Sequence, residues 1–216
     1  MAKDKPYYPH NPIGSVDSLA KTLGCAPKIL RDLTRDTSNS YTCFSISTKK
    51  GKEREVYEPK YELKKLQKKI NSRIFEKVIY PTYLQGGIKD KASPRDYIQN
   101  SKIHAGSKFL ISVDLSDFYH SIQADSVTSI FKNFFQFPDD VSEILKSAVT
   151  LNDKVPQGAC TSSYIANLVF FNSEYSLVSK LRSRGFNYSR LLDDITISSE
   201  KIIEHKKVTE IINSVV

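Results

Sequence analysis

Residues 108–122 read Lys-Phe-Leu-Ile-Ser-Val-Asp-Leu-Ser-Asp-Phe-Tyr-His-Ser-Ile, and residues 189–199 read Ser-Arg-Leu-Leu-Asp-Asp-Ile-Thr-Ile-Ser-Ser. Each is an apolar, β-prone run that meets acid. Phe109, Leu110, Ile111 and Val113 lead into Asp114, and Asp193 and Asp194 separate two β-rich runs where the tip of a hairpin would fall. A carboxylate at the end of a buried strand is costly unless its charge is compensated. Three drawn together repel one another and favour a hard divalent cation instead. Two such ions about 3.5–4 Å apart, bridged by carboxylates, are the usual catalyst of in-line phosphoryl transfer. Each piece also has an ordinary reading: Asp-Asp suits a hairpin turn, and Asp after a strand suits a helix N-cap.

The remaining composition narrows the class. With 216 residues, 39% hydrophobic and 26% charged, the chain has enough material for one large domain or two small ones. Lys and Arg number 32 against 24 Asp and Glu, a formal net charge of +8, which favours a polyanionic partner. Cys25, Cys43 and Cys160 are odd in number and widely spaced, and the four histidines do not cluster. That excludes a disulfide framework or zinc spacing and predicts a reducing, cytoplasmic setting. No apolar run approaches the ~20 residues of a membrane span, so no membrane partner is expected.

Taken in order, residues 1–14 carry Pro6, Pro9, Pro12 and Gly14 and read as an irregular arm. Short helices are predicted over 15–23, ended by Gly24, and over 27–33. A hairpin follows, residues 41–47 and 53–57, with a basic tip at Lys49, Lys50 and Lys52. A hairpin with a basic tip is common on any surface; it is also the shape needed to close over a nucleoside triphosphate, where Arg grips phosphate bidentately and Lys as a point charge. Residues 61–79 form the clearest helix, with Leu63, Leu66, Ile70, Ile74 and Val78 in a stripe and lysines on the other face. That face is either solvated or tracks a nucleic-acid backbone. A short helix over 96–102 precedes the strand 108–113, read as central. Helices follow over 121–137 and from 139 or 140. The loop Val155-Pro156-Gln157-Gly158 leads into a helix running to about 180. Gly185 ends it, the acidic hairpin follows, and a last helix covers 200–216. The order implies an α+β fold, an antiparallel sheet backed by helices.

Four segments, in this order, resemble bacterial reverse transcriptases of the retron, group II intron and phage-defence group. Lys50-Gly51, Arg54, Glu58-Pro59 and residues 63–67 resemble the fingers. Asn100 and His104 ahead of Val113-Asp114-Leu115-Ser116-Asp117-Phe118-Tyr119-His120 are similar to the retron-type first palm motif. Residues 155–162 resemble the family's Pro-Gln-Gly motif, and Leu191-Leu192-Asp193-Asp194 stands where the family has Tyr-x-Asp-Asp. The resemblance implies right-hand polymerase fingers and palm: 1–40 as arm and helices, 41–107 as fingers, 108–216 as palm. It implies an RNA-directed DNA polymerase with two Mg²⁺ ions, Mn²⁺ being the substitute. Asp114, Asp193 and Asp194 would be both the metal ligands and the catalytic residues. Lys50 and Arg54 would hold the triphosphate, the backbone at Asp117 and Phe118 would cradle it, and Tyr119 would exclude a ribose 2′-hydroxyl. Gln157 and Gly158 would lie against the incoming base or the template. The expected partners are an RNA template, in the retron-like case a dedicated structured RNA serving antiphage defence, a DNA or RNA primer, and dNTPs.

Two departures stand out. Leu191 replaces the usual Tyr, which puts primer handling in question. The family's primer grip and thumb do not follow the last helix, so a longer form or a second chain is expected to supply them. The alternatives are a catalytically weak nucleic-acid-binding subunit of a larger complex, and untemplated or protein-primed DNA synthesis.

Overall fold

The structure, a computed structural model, describes residues 4–47, 51, 53–90, 92–202 and 204–213. The chain divides into two units, each drawn from separate stretches: Met1–Tyr7, Ile79–Ser116 and Ala166–Val216 form one, and Tyr8–Val78 and Asp117–Ile165 the other.

The second of these is mostly helical. Ser15 caps α1 (Val16–Leu23) by accepting a hydrogen bond from the Ser18 N–H, and Gly24 closes it in the left-handed conformation. Pro27 opens α2 (Pro27–Arg35). The strands β1 (Tyr41–Ser47) and β2 (Glu53–Pro59) pair antiparallel in a two-stranded hairpin. The helix predicted over 61–79 stops early: α3 is Tyr61–Arg73, and Ile74 leaves helical geometry (φ −122°, ψ −67°). The break carries Phe75 into a short 3₁₀ turn, where its ring stacks on Tyr164 at 5.6 Å. Residues 121–137 are likewise not one helix. α5 (Phe118–Ser121) ends where Gln123 bridges to Lys154, α6 (Ala124–Ser129) follows, and Ile130–Phe134 is a π-helical stretch. Ile130, Phe131 and Phe135 are all buried here, and the rings of Phe131 and Phe135 pack against Phe75. Next, α7 (Asp139–Val149) buries Val141, Leu145 and Ala148, with Ile144 half-buried. Gln67, fully buried, donates to the Tyr41 hydroxyl (2.9 Å) and the Ala148 carbonyl (3.0 Å), tying hairpin, α3 and α7 together.

The first unit holds a four-stranded sheet of order β3-β5-β6-β4: β3 (Leu84–Gln85), β4 (Phe109–Asp114), β5 (Asn187–Leu191) and β6 (Asp194–Ser199). The sheet is mixed, because β3 runs parallel to β5 while the other pairs are antiparallel. The strand read as central, β4, ends the strand order, and Phe109 and Leu110 are exposed. α4 (Tyr97–His104), capped by Asp96, lies on one face. The helix predicted to run from the Pro-Gln-Gly loop to residue 180 is two: α8 (Ser162–Leu168), which spans the boundary of the units, and α9 (Glu174–Ser183), after a turn at 169–173. α10 (His205–Asn213) closes the described chain.

Side-chain alternation sorts the two faces of this sheet. Ser189 and Ser198 point toward α4, where His104 meets both: Nδ1 lies 2.8 Å from Ser198 Oγ and Nε2 2.7 Å from Ser189 Oγ. Tyr188, Arg190, Ile195 and Ile197 occupy the opposite, drier face with α9. Among the described residues no helix is long and apolar enough to cross a membrane.

Candidate active site

Asp114 closes β4 and Asp194 opens β6, directly opposite in the antiparallel register. Opposed residues leave the same face, with Cβ atoms about 4.5–5.5 Å apart. Asp193 is the second residue of the two-residue turn joining β5 to β6, and its carbonyl accepts the Leu115 N–H at 3.0 Å, continuing the ladder past Asp114. The hairpin tip therefore falls at Leu192-Asp193, one residue earlier than Asp193-Asp194. Burial first, then the negative charges of Asp193 and Asp114, hold the Asp194 carboxyl above the usual carboxylate range.

This donor set fits hard divalent cations in kind: carboxylate oxygens, half-buried to exposed, whose mutual repulsion a cation relieves. Among the described residues no three His, Cys, Asp or Glu side chains already stand close enough to hold an ion together, so a cation would need their rotamers to close on it.

The turn itself is strained. Leu192 has φ 60°, a left-handed conformation that costs a branched residue about 1–2 kcal/mol. Two features hold it there. The loop at Gly86 (φ 75°) backs the turn closely: a Cβ there would sit 2.8 Å from Leu191 Cδ1 and 3.3 Å from Leu192 Cγ. Arg190 donates from Nη1 to the Leu192 carbonyl at 2.9 Å. Sequence reading missed Arg190 and its partner Glu174. The available signal was a charged residue inside a β-rich run, which must find an opposite charge when buried.

In the other unit, Asp117 begins the α5 turn in the left-handed region (φ 47°), and its carbonyl accepts the Ser121 N–H and hydroxyl. Phe118 is buried and Tyr119 half-buried, their ring centroids 5.9 Å apart. The Gln157 carbonyl accepts the Tyr57 N–H at 2.8 Å. Gly158 is in contact with β2: a Cβ there would be 2.5 Å from Val56 Cγ1 and 3.2 Å from the Tyr57 carbonyl oxygen. The close approach that requires this glycine is thus to the fingers-like hairpin of its own unit. Arg54 is exposed on β2. Lys50 lies outside the described residues.

Compared with known proteins, residues 46–216 match the family model described as reverse transcriptase (RNA-dependent DNA polymerase). The chain is 50% identical over 213 residues to the Retron Se72 reverse transcriptase of Salmonella heidelberg, a match covering 98% of the chain and 55% of that relative. It is 37% identical to the Retron Ec48 reverse transcriptase of Escherichia coli over 93% of the chain and 51% of the relative. A solved Sicinivirus 3Dpol RNA-dependent RNA polymerase aligns over 87% of the chain and 46% of its own, with a TM-score of 0.49 and 12% identity. The chain spans about half the length of the relatives it matches. It belongs to the reverse transcriptase family.

Proposed function

We propose that this member of the reverse transcriptase family is the fingers-and-palm part of an RNA-directed DNA polymerase, with Asp114, Asp193 and Asp194 as its metal-binding carboxylates. The observation that carries this is the Asp114–Asp194 cross-strand pair with Asp193 on the adjoining turn. A register that sets like charges opposite each other is destabilising by itself, so a bound cation gives it a purpose. Mg²⁺ ions held there would stabilise the attacking 3′-oxygen and the departing pyrophosphate. The chain's own residues orient and select. Asp114 and Asp193 would hold both ions, and Asp194 would add negative charge beside them. Arg54 and Lys50 would contact the triphosphate, and the backbone of Asp117 and Phe118 its other side. Tyr119, five residues after Asp114, would set a ring beneath the sugar and exclude a 2′-hydroxyl. Gln157 would meet the incoming base or the template. The similarity to retron enzymes supports a dedicated structured RNA as template and a role in antiphage defence.

Labelled dNTP incorporation on an RNA template with a DNA primer and Mg²⁺ tests this, comparing the chain, a longer native form, and Asp193→Ala with Asp194→Ala. Template-dependent DNA from the wild type alone supports the polymerase. Incorporation insensitive to the substitutions refutes the site. Silence from every form, with RNA binding retained, would leave the reading of a non-catalytic nucleic-acid-binding subunit. Product sequencing separates templated from untemplated synthesis, and Tyr119→Ala should admit ribonucleotides.

A further inference from the structure

Arg190 is the largest fully buried side chain in the described structure, on the strand that delivers the acidic turn. Burying a guanidinium is expensive unless every donor is matched and the charge is countered. Here all five N–H groups have partners. Nε donates to Glu174 Oε1 at 2.6 Å and Nη2 to Glu174 Oε2 at 2.9 Å, a bidentate pair. The second Nη2 hydrogen reaches the Asn167 carbonyl at 3.3 Å. Nη1 bridges two carbonyls, Ala166 and Leu192, both at 2.9 Å. Glu174 is buried too and also accepts from the Tyr188 hydroxyl at 2.8 Å. The guanidinium therefore links α8, α9 and the Leu192-Asp193 turn in one rigid fork.

Two details indicate that this fork serves the turn. The bond to Leu192 ends on the residue held at φ 60°, a conformation that persists only where its surroundings impose it. In addition, the charge of Arg190 is matched by Glu174 on the sheet face opposite Asp194, which leaves its effect on the carboxylates to the backbone rather than to direct attraction.

We propose that Arg190, fixed by Glu174, is a positioning residue that sets the Leu192-Asp193 turn and thereby the geometry at which Asp193 and Asp194 meet a divalent cation. This rests on the reading of those carboxylates as a metal site. Lysine cannot replace it, because one ammonium cannot span Glu174, Ala166 and Leu192 at once.

The test is Mn²⁺ binding by this chain, followed by the electron paramagnetic resonance signal of free Mn²⁺, with circular dichroism melts run alongside. Asp193→Asn tests the underlying site: if the wild type does not bind Mn²⁺, or Asp193→Asn binds equally well, that reading fails and the proposal falls with it. Arg190→Lys tests the fork while keeping the charge. The double substitution Arg190→Met with Glu174→Gln removes both charges, leaves an acceptor for Tyr188, and avoids a lone buried carboxylate. Both are measured well below their melting temperatures. The expected result is Mn²⁺ affinity weakened about 10- to 100-fold in the double variant, the scale seen when groups that orient metal ligands are lost, with Arg190→Lys in between. If the double variant does not fold, Arg190→Lys alone decides. A folded variant whose Mn²⁺ affinity stays within about twofold of wild type, against the 10- to 100-fold expected, overturns the proposal and leaves Arg190 a stability residue only.

Discussion

Replacing Gly158 with alanine isolates what the Pro-Gln-Gly loop does for the hairpin of its own unit. The residue has φ 104°, which an L side chain adopts at a cost of at least about 1–2 kcal/mol. The new Cβ would also stand 2.5 Å from Val56 Cγ1 and 3.2 Å from the Tyr57 carbonyl oxygen. Neither yields readily: valine is stiff about χ1, and Tyr57 is held by its N–H bond to the Gln157 carbonyl. Overpacking of this kind costs about 1–3 kcal/mol more, for a total of about 2–5 kcal/mol. The matched control is Gly24→Ala, in the same unit. It carries a comparable backbone penalty (φ 60°), but its Cβ would meet nothing closer than Lys69 Nζ at 3.8 Å. In thermal melts a loss of ~3 kcal/mol lowers the midpoint by about 6–12 °C for a chain of this size. Gly158→Ala should fall well below Gly24→Ala. Equal midpoints would falsify the steric account and return Gly158 to a purely nucleotide- or template-facing role.

Three further outcomes are expected. Burial holds His104 below the usual imidazole range. The unfolded chain therefore takes up its proton first as pH falls through about 6.5, and stability falls from there down to the folded-state pKa; His104→Asn should flatten the pH dependence of the melting temperature between pH 5 and 8, and an unchanged slope relative to wild type would rule the histidine out. Because Asp194 is repelled by Asp193 and Asp114, Asp194→Asn should melt higher than wild type without divalent cations and gain less from them, whereas wild type should gain about 1.4 kcal/mol at a cation concentration tenfold above its Kd; a thermal-shift series with Mg²⁺ and chelator decides it. Gln67→Leu strands the Ala148 carbonyl and the Tyr41 hydroxyl and should cost about 1–3 kcal/mol in urea unfolding; a neutral result would mean those groups find other partners.

The acidic residues were legible because each terminates or interrupts a β-prone run, and that signal is local. Where β4 falls in the sheet was not legible, since strand order depends on pairings more than 80 residues apart, such as Ser112 with Thr196. The breaks at Ile74, near Ile122 and across 169–173 were hidden because apolar spacing continues through them, and the residues beside each break are held by partners distant in the chain: Phe75 by Tyr164, Gln123 by Lys154, Glu174 by Arg190. Tyr119 and Gln157 could be located in the chain from the family resemblance, but their contacts with substrate are properties of a complex.

The opposition of Asp114 and Asp194 also governs which kinds of genetic change this chain can survive. Side chains in a strand alternate with a period of two, so sliding β4 by a single residue turns Asp114 to the far side and moves Ile111 and Val113 with it. Substitutions along β4 alter one side chain at a time and leave the carboxylates facing each other. A one-codon insertion or deletion between residues 109 and 114 misaligns every pair as far as Ser199. In a library of variants, this strand should therefore tolerate many amino-acid replacements and almost no change in length.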